Sequence, residues 1–299
     1  MLGVCRLCDC EAELEGSHII PSFVYKWLKD SSWADSLRFS RHPNRRVQDG
    51  YKLPWLCGEC EDRLNAWETK FATLVFHPVN KGEVDTVSYD AWLLKFCVSI
   101  SWRVLTLFIE EEETKDRKHF PDQFQDAVKR AHMVWKEFLL DKRPHPERHE
   151  QHFLLLQALE NCTNPEMPTN INRYLLRSVD INSAWSAKDA FIYSKLGHFL
   201  IIGFVNMHSP KEWEGTKVHV QHGSLQLCEY TTPVGLKDYI LTRAREAARV
   251  YADISETQYQ KIEQSFRKNM DKWPTSGSSK AMAHDVRLFG EAAFRKGQE

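Results

Sequence analysis

Cys5-Arg6-Leu7-Cys8 and Cys57-Gly58-Glu59-Cys60, with Ser17-His18-Ile19-Ile20-Pro21 between them, are the stretches on which the reading of this chain turns. Each pair presents two thiols two residues apart. One tetrahedral zinc takes four such sulfurs about 2.3 Å away, and the loop between the pairs is free to be long. The spacing therefore predicts a structural zinc on Cys5, Cys8, Cys57 and Cys60 that holds an N-terminal module together. The other four cysteines, Cys10, Cys97, Cys162 and Cys228, are scattered, which fits zinc plus reduced thiols better than a disulfide framework. Cys10, two residues past the first knuckle, reads as a bystander or a substitute ligand.

The chain of 299 residues, 42% apolar and 27% charged, is long enough for two or three domains with well-buried cores. Its formal net charge of -1 excludes a protein that coats nucleic acid by bulk electrostatics, so any such site must be a local basic patch. Met1-Leu2-Gly3-Val4-Cys5 has neither a signal-peptide nor a transit pattern, and a cytoplasmic location is expected. Ala91 to Ile109, AWLLKFCVSISWRVLTLFI, is as long as a bilayer-crossing helix. Lys95 and Arg103 lie inside it, however, and a central charge costs about 2.5–3.5 kcal/mol on insertion. A buried core helix is expected, with no membrane partner. The acidic run Glu110 to Glu113 that follows reads as a solvated helix end.

His77-Pro78 and Lys81-Gly82 interrupt the apolar periodicity and mark a boundary near residues 77–88. Helical spacing then covers Phe120–Leu140, Glu147–Asn161 and Ile171–Arg177, broken at Pro144-His145-Pro146 and at Pro165 and Pro168. Residues 189–229 turn β-branched and aromatic and predict a small antiparallel sheet. Beyond Pro233 two or three helices follow, with a frayed tail at 295–299. The expected fold class is α+β, mainly helical, in three parts: a zinc-binding module at 1–80, a helical region at 81–180, and a small antiparallel sheet with C-terminal helices at 181–299. His219 and His222 point to opposite faces of a strand, which disfavours a shared metal. No P-loop, nucleophile-elbow or dinucleotide motif is present.

At its knuckles and its Ser-His-Ile-Ile-Pro segment the chain resembles the HNH, or ββα-metal, endonuclease superfamily in its zinc-bracketed branch, over roughly the first 75 residues. The order is a cysteine knuckle, a strand ending in histidine with two aliphatics and proline, a loop, then Leu56-Cys57-Gly58-Glu59-Cys60 leading into a helix. The resemblance implies a ββα-metal-like module in which the zinc is structural. It also implies that His18 is the general base and that Glu61, at the start of the final helix, holds a catalytic Mg²⁺ or Mn²⁺. The family usually has histidine at the position of Glu61, and an acidic residue or histidine at that of Ser17; its asparagine has no secure counterpart, Lys52 standing near that place. Glu68, seven residues after Glu61, lies on nearly the same side of a helix whose buried stripe is Leu64, Trp67, Phe71 and Leu74, and is a second candidate ligand. The alternative is that both glutamates are solvated, with Glu61 favoured by the helix dipole, and that His18 is a zinc ligand or a turn hydrogen-bonder.

Arg38-Phe39-Ser40-Arg41-His42-Pro43-Asn44-Arg45-Arg46, with Lys52 shortly after, offers guanidinium forks to phosphate oxygens and makes nucleic acid the expected partner. Pairing with the acidic stretch Asp9–Glu15 is the alternative. Trp33, Tyr51 and Trp55 are candidates for base stacking or for the module's core. Two functions of different class follow: a metal-dependent nuclease, of a kind the resemblance links to defence or toxin action, or a decayed zinc module acting as a nucleic-acid or protein adaptor. A third option is a purely structural head on a helical scaffold. In each, the helical region is a candidate surface for a protein partner.

Overall fold

The computed structural model describes residues 1–34, 36–115, 117–162, 164, 166–226 and 230–294. The expectations placed on Pro165, Cys228 and the 295–299 tail lie outside the described residues. The N-terminal part comprises β1 (Leu2–Val4), β2 (Glu11–His18), α1 (Ser22–Asp30), the hairpin β3 (Leu37–Phe39) and β4 (His42–Val47), β5 (Lys52–Cys57) and α2 (Gly58–Phe71). β1, β2 and β5 form an antiparallel sheet in that order. Cys57 is still extended, and α2 starts directly after it with Glu59 and Glu61 in the first turn, where the helix dipole favours carboxylates.

The helix does not stop at His77-Pro78. It passes through a wide turn, Ala72–Phe76, into α3 (His77–Asn80), because proline is tolerated in a first helical turn. The break falls at Lys81-Gly82, where Gly82 takes φ of 69°.

β6 (Thr86–Asp90) leads into α4 (Ala91–Lys115), the long apolar helix. Of its most apolar window 89% is buried inside the protein, as a core helix requires. Lys95 reaches the surface at Asp141, 2.7 Å away. α5 (Gln125–Leu139), β7 (Gln151–Leu155), α6 (Ile171–Arg177), β8 (Val179–Trp185), β9 (Ala190–Leu196), β10 (Phe199–Asn206) and β11 (His222–Gln226) follow, then α7 (Val234–Ala252), α8 (Glu256–Lys268) and α9 (Gly277–Phe289). With 48% helix and 22% strand the chain is α+β and mainly helical.

Two sequence expectations need correcting here. The helix expected over Glu147–Asn161 is instead β7, an edge strand of a four-stranded antiparallel sheet ordered β7-β10-β9-β8. Four of its five residues are buried, Gln151 and His152 among them, and so short a stretch has no period that separates strand from helix. The segment 222–226 also leaves that sheet and pairs with β6, Leu225 opposite Val87.

One hydrophobic cluster runs from Cys5 to Val218 through α2, α4, α5 and the four-stranded sheet. Phe71 of α2 stacks on Phe96 of α4 at 4.0 Å, so the N-terminal sheet and helix rest directly on the central helix.

The acidic run at the end of α4 is likewise not a solvated helix end. Glu110 pairs with Arg6 at 2.7 Å and accepts from the Trp55 indole at 3.1 Å. Glu111, 2% exposed, takes both arms of Arg41 at 2.5 and 3.2 Å and meets His119 Nε2 at 2.8 Å. Burial opposes the Glu111 charge, but Arg41, His119 and Lys115 hold its carboxyl down at about 2 against an ordinary 4.5. A carboxyl depressed on folding stabilises above its unfolded value and loses that contribution as pH falls through its folded one. Glu111→Gln is therefore expected to cost on the order of 3 kcal/mol in urea unfolding at pH 7. The gap to wild type should narrow between pH 4.5 and 2; a gap independent of pH would refute the assignment.

Candidate functional site

The first knuckle follows β1 in a tight turn closed by Cys5 N–H to Cys10 O at 2.9 Å and Asp9 N–H to Cys5 O at 2.9 Å. The second sits at the junction of β5 and α2. β5 lies beside β2, with Leu14 opposite Cys57, so the sheet carries the two knuckles together. All four sulfurs lie within 4.8 Å of one another, and Cys8 Sγ to Cys57 Sγ is 3.7 Å. A tetrahedron with 2.3 Å zinc–sulfur bonds has edges of about 3.8 Å. The four cysteines can hold one metal ion, and their sulfur chemistry and spacing are consistent with a structural zinc. Three of them are almost wholly buried, Cys5 at 0%, Cys57 at 8% and Cys60 at 3% exposure. Cys10 is exposed and stands outside the group.

His18 ends β2, in register with Lys52 of β5. Its Nε2 lies 2.9 Å from Asp49 Oδ1. Asp49 also accepts from the Gly50 amide at 2.8 Å and pairs with Lys52 Nζ at 2.8 Å. Partial burial opposes the Asp49 charge, but the bonds from Lys52, His18 and Gly50 hold its carboxyl well below the usual carboxylate range. An ionised Asp49 accepts and cannot donate, so Nε2 carries a proton, and the neutral tautomer compatible with this bond has its lone pair on Nδ1. The turn needs its glycine: a Cβ on Gly50 would sit 2.1 Å from the Tyr25 ring.

From below, α4 holds the same histidine by its backbone. Arg103, with a side chain 3% exposed, donates from Nη1 to His18 O at 2.8 Å and from Nε to Ser99 O at 3.3 Å. Its Nη2 pairs with Glu68 at 2.7 Å. Glu68 is thus linked through Arg103 to the His18 carbonyl, as the counter-ion of that guanidinium. Glu61 has one partly enclosed carboxylate whose Oε1 is buried without a hydrogen-bond partner, and Ser17 Oγ on β2 is in the same state. Among the described residues no group of His, Cys, Asp and Glu ligand atoms other than the four cysteines converges on a point.

The basic residues of the loop have separate fates. Arg41 is locked to buried Glu111, and Lys52 to Asp49. Arg38 and Arg46 lie on the hairpin against the C-terminal helices, and Arg45 is exposed. None pairs with the Asp9–Glu15 stretch, whose Asp9 meets Lys136 at 2.6 Å. Trp55 is buried at 2% and Trp33 packs on Phe266, ring centroids 5.2 Å apart, while Tyr51 stays exposed. No protein-family model matches the chain, and no curated protein and no solved structure matches it either. The likeness to ββα-metal nucleases therefore rests on the residues alone.

Asp49 and Arg103 are the site residues that sequence reading passed over. Asp49-Gly50 before a strand is a turn signal. Arg103 carried a stronger one: a lone guanidinium in an apolar helix must find partners once buried. Metal analysis of purified protein should find one zinc per chain. Cys5→Ser or Cys60→Ser should lose it and lower the melting temperature, while Cys10→Ser should keep both; zinc retained in Cys60→Ser would sink the four-cysteine assignment.

Proposed function

We propose that the chain is a metal-dependent nuclease that hydrolyses nucleic-acid phosphodiesters at His18, in a reducing, cytoplasmic setting that suits its unpaired cysteines. The observation that carries this reading is the pair of buried oxygens without partners, Ser17 Oγ and Glu61 Oε1. They belong to the two positions to which the resemblance assigns the catalytic cation, on a strand and a helix that pack together. A hard divalent cation suits oxygen donors and keeps several waters, so two protein oxygens suffice. When bound, such a cation supplies electrostatic stabilisation of the phosphoryl oxygens and the leaving group.

His18 supplies the base. Nδ1 takes a proton from water as the oxygen attacks phosphorus, and ionised Asp49 holds the ring by Nε2–H and stabilises the imidazolium that forms. Arg103 fixes the backbone carbonyl of His18 and so the start of that side chain. The knuckles keep β2, β5 and α2 in register. A defence or toxin role is the biological setting the resemblance suggests.

The second reading, an adaptor without chemistry, draws on Glu68 and Arg41, both engaged in internal ion pairs rather than turned to a substrate. Supercoiled plasmid, single-stranded DNA and RNA incubated with magnesium or manganese separate the two. Cleavage should require the cation. His18→Ala and Glu61→Ala should each lower it by about 10² or more at unchanged zinc content, with Asp49→Asn falling between them and wild type. Folded, zinc-loaded protein that cleaves none of the three substrates would leave the adaptor reading in possession.

A further inference from the structure

We infer that the seam between the hairpin β3–β4 and helix α8 is a binding site for the phosphate backbone of a nucleic-acid strand, formed by Arg38 and Arg46 with Lys261 of the facing helix. The choice of ligand rests on the nuclease reading; the site itself rests on the hairpin. Arg38 and Arg46 are directly opposed across the two strands, an arrangement that destabilises a hairpin when both residues carry the same charge. Neither finds a carboxylate among the described residues. Arg38 donates to Pro43 O at 2.8 Å and to Gln258 Oε1 at 3.3 Å, and Arg46 to Lys261 O at 3.1 Å, all of them neutral acceptors. Burial and then the neighbouring Arg46 pull the Arg38 guanidinium below its ordinary value, as expected of a cation in want of an anion.

The seam does not need these charges to stay closed. Asn44 donates to Asp253 O at 3.1 Å and accepts from the Ser255 amide at 2.8 Å. Trp33 packs edge-on against Phe266 at 5.2 Å and meets Trp273 at 6.4 Å. On α8, Glu263 is taken by Arg267 at 2.6 Å, and Lys261, whose carbonyl meets Arg46, has no ion pair among the described residues. Arg46 and Lys261 are exposed, so an incoming phosphate meets them without displacing core. The fold elsewhere neutralises its hairpin arginine when it has a structural use for it, as Arg41 on Glu111 demonstrates. Arginine forks that end on neutral carbonyls exchange those bonds for stronger, charge-assisted ones when phosphate arrives.

The test is fluorescence anisotropy with a labelled single strand of about 20 nucleotides, as DNA and as RNA, over a salt series. His18→Ala protein without added divalent cation is used so that nothing is cleaved. Arg38→Gln/Arg46→Gln in that background should bind at least tenfold more weakly, with a salt slope shallower by about 1.4, the share of two phosphates on a single strand. Arg38→Lys/Arg46→Lys should keep most of the slope, which separates lost charge from lost fold. The inference is overturned if the Gln pair binds like its parent, or if the parent binds neither strand. Binding lost in the Gln pair while wild type cleaves nothing would leave the seam standing and remove His18 chemistry; normal cleavage with unaltered binding in the Gln pair would do the reverse.

Discussion

Everything in the N-terminal part hangs from one buried charge. Arg103 sits in the middle of a helix that is otherwise apolar along most of its length, and a guanidinium there is tolerable only if every arm is engaged. Its arms reach Ser99 one turn back, the carbonyl of His18 and the carboxylate of Glu68. The central helix thereby grips both the end of β2 and the side of α2, the two elements whose separation sets the geometry around His18. Removing one partner of such a pair leaves the other buried and uncompensated, so the three elements are ordered together or not at all.

The clustered cysteines act at the other end of the same elements. β1 has three residues and β2 eight, too little for a sheet that stands alone in water. Four thiols placed to hold one ion bring the loop after β1 to the start of α2, while Phe71, seated on Phe96, fixes the far end of α2 to the core. Held at both ends, α2 cannot slide along the sheet. His18 is then positioned by strand register, by the Asp49 turn and by Arg103, three constraints that come from different parts of the chain.

The knuckles were legible because metal ligation demands a fixed residue type at a fixed spacing, a local pattern that survives without neighbours. The core helix expected over 91–109, which in the structure runs on to Lys115, was legible for a similar reason, since length and two internal charges decide between lipid and protein. What could not be read was anything set by partners distant in sequence. Glu111 looks like one more acid in a run of four, and becomes a buried hub only because Arg41, His119 and Lys115 arrive from both sides. β7 hides for the complementary reason: Phe153 and Leu154 are apolar whichever element they join, and the pairing with Ile201 and Leu200 that makes them strand lies far down the chain. Among the basic residues, type and proximity promised one patch, yet the fold sorts them into Arg41, consumed by the core, and Arg38 and Arg46, left facing neutral oxygens.

The two glutamates of α2 carry the same lesson to the site itself. Seven residues on a helix return to nearly the same face but advance about 10 Å along the axis. Glu61 and Glu68 therefore meet different neighbours even though the helical wheel superposes them. Glu68 reaches the level of Arg103 and becomes a counter-ion, which the buried guanidinium needs whatever else the protein does. Glu61 remains beside the second knuckle, where no cation among the described residues pairs with it and one buried carboxylate oxygen goes without a hydrogen bond. A carboxylate in that state is unfavourable for folding alone. Of the two acids, then, Glu68 is accounted for by the fold's own charges, and Glu61 is the one that keeps a buried oxygen without a partner among the described residues.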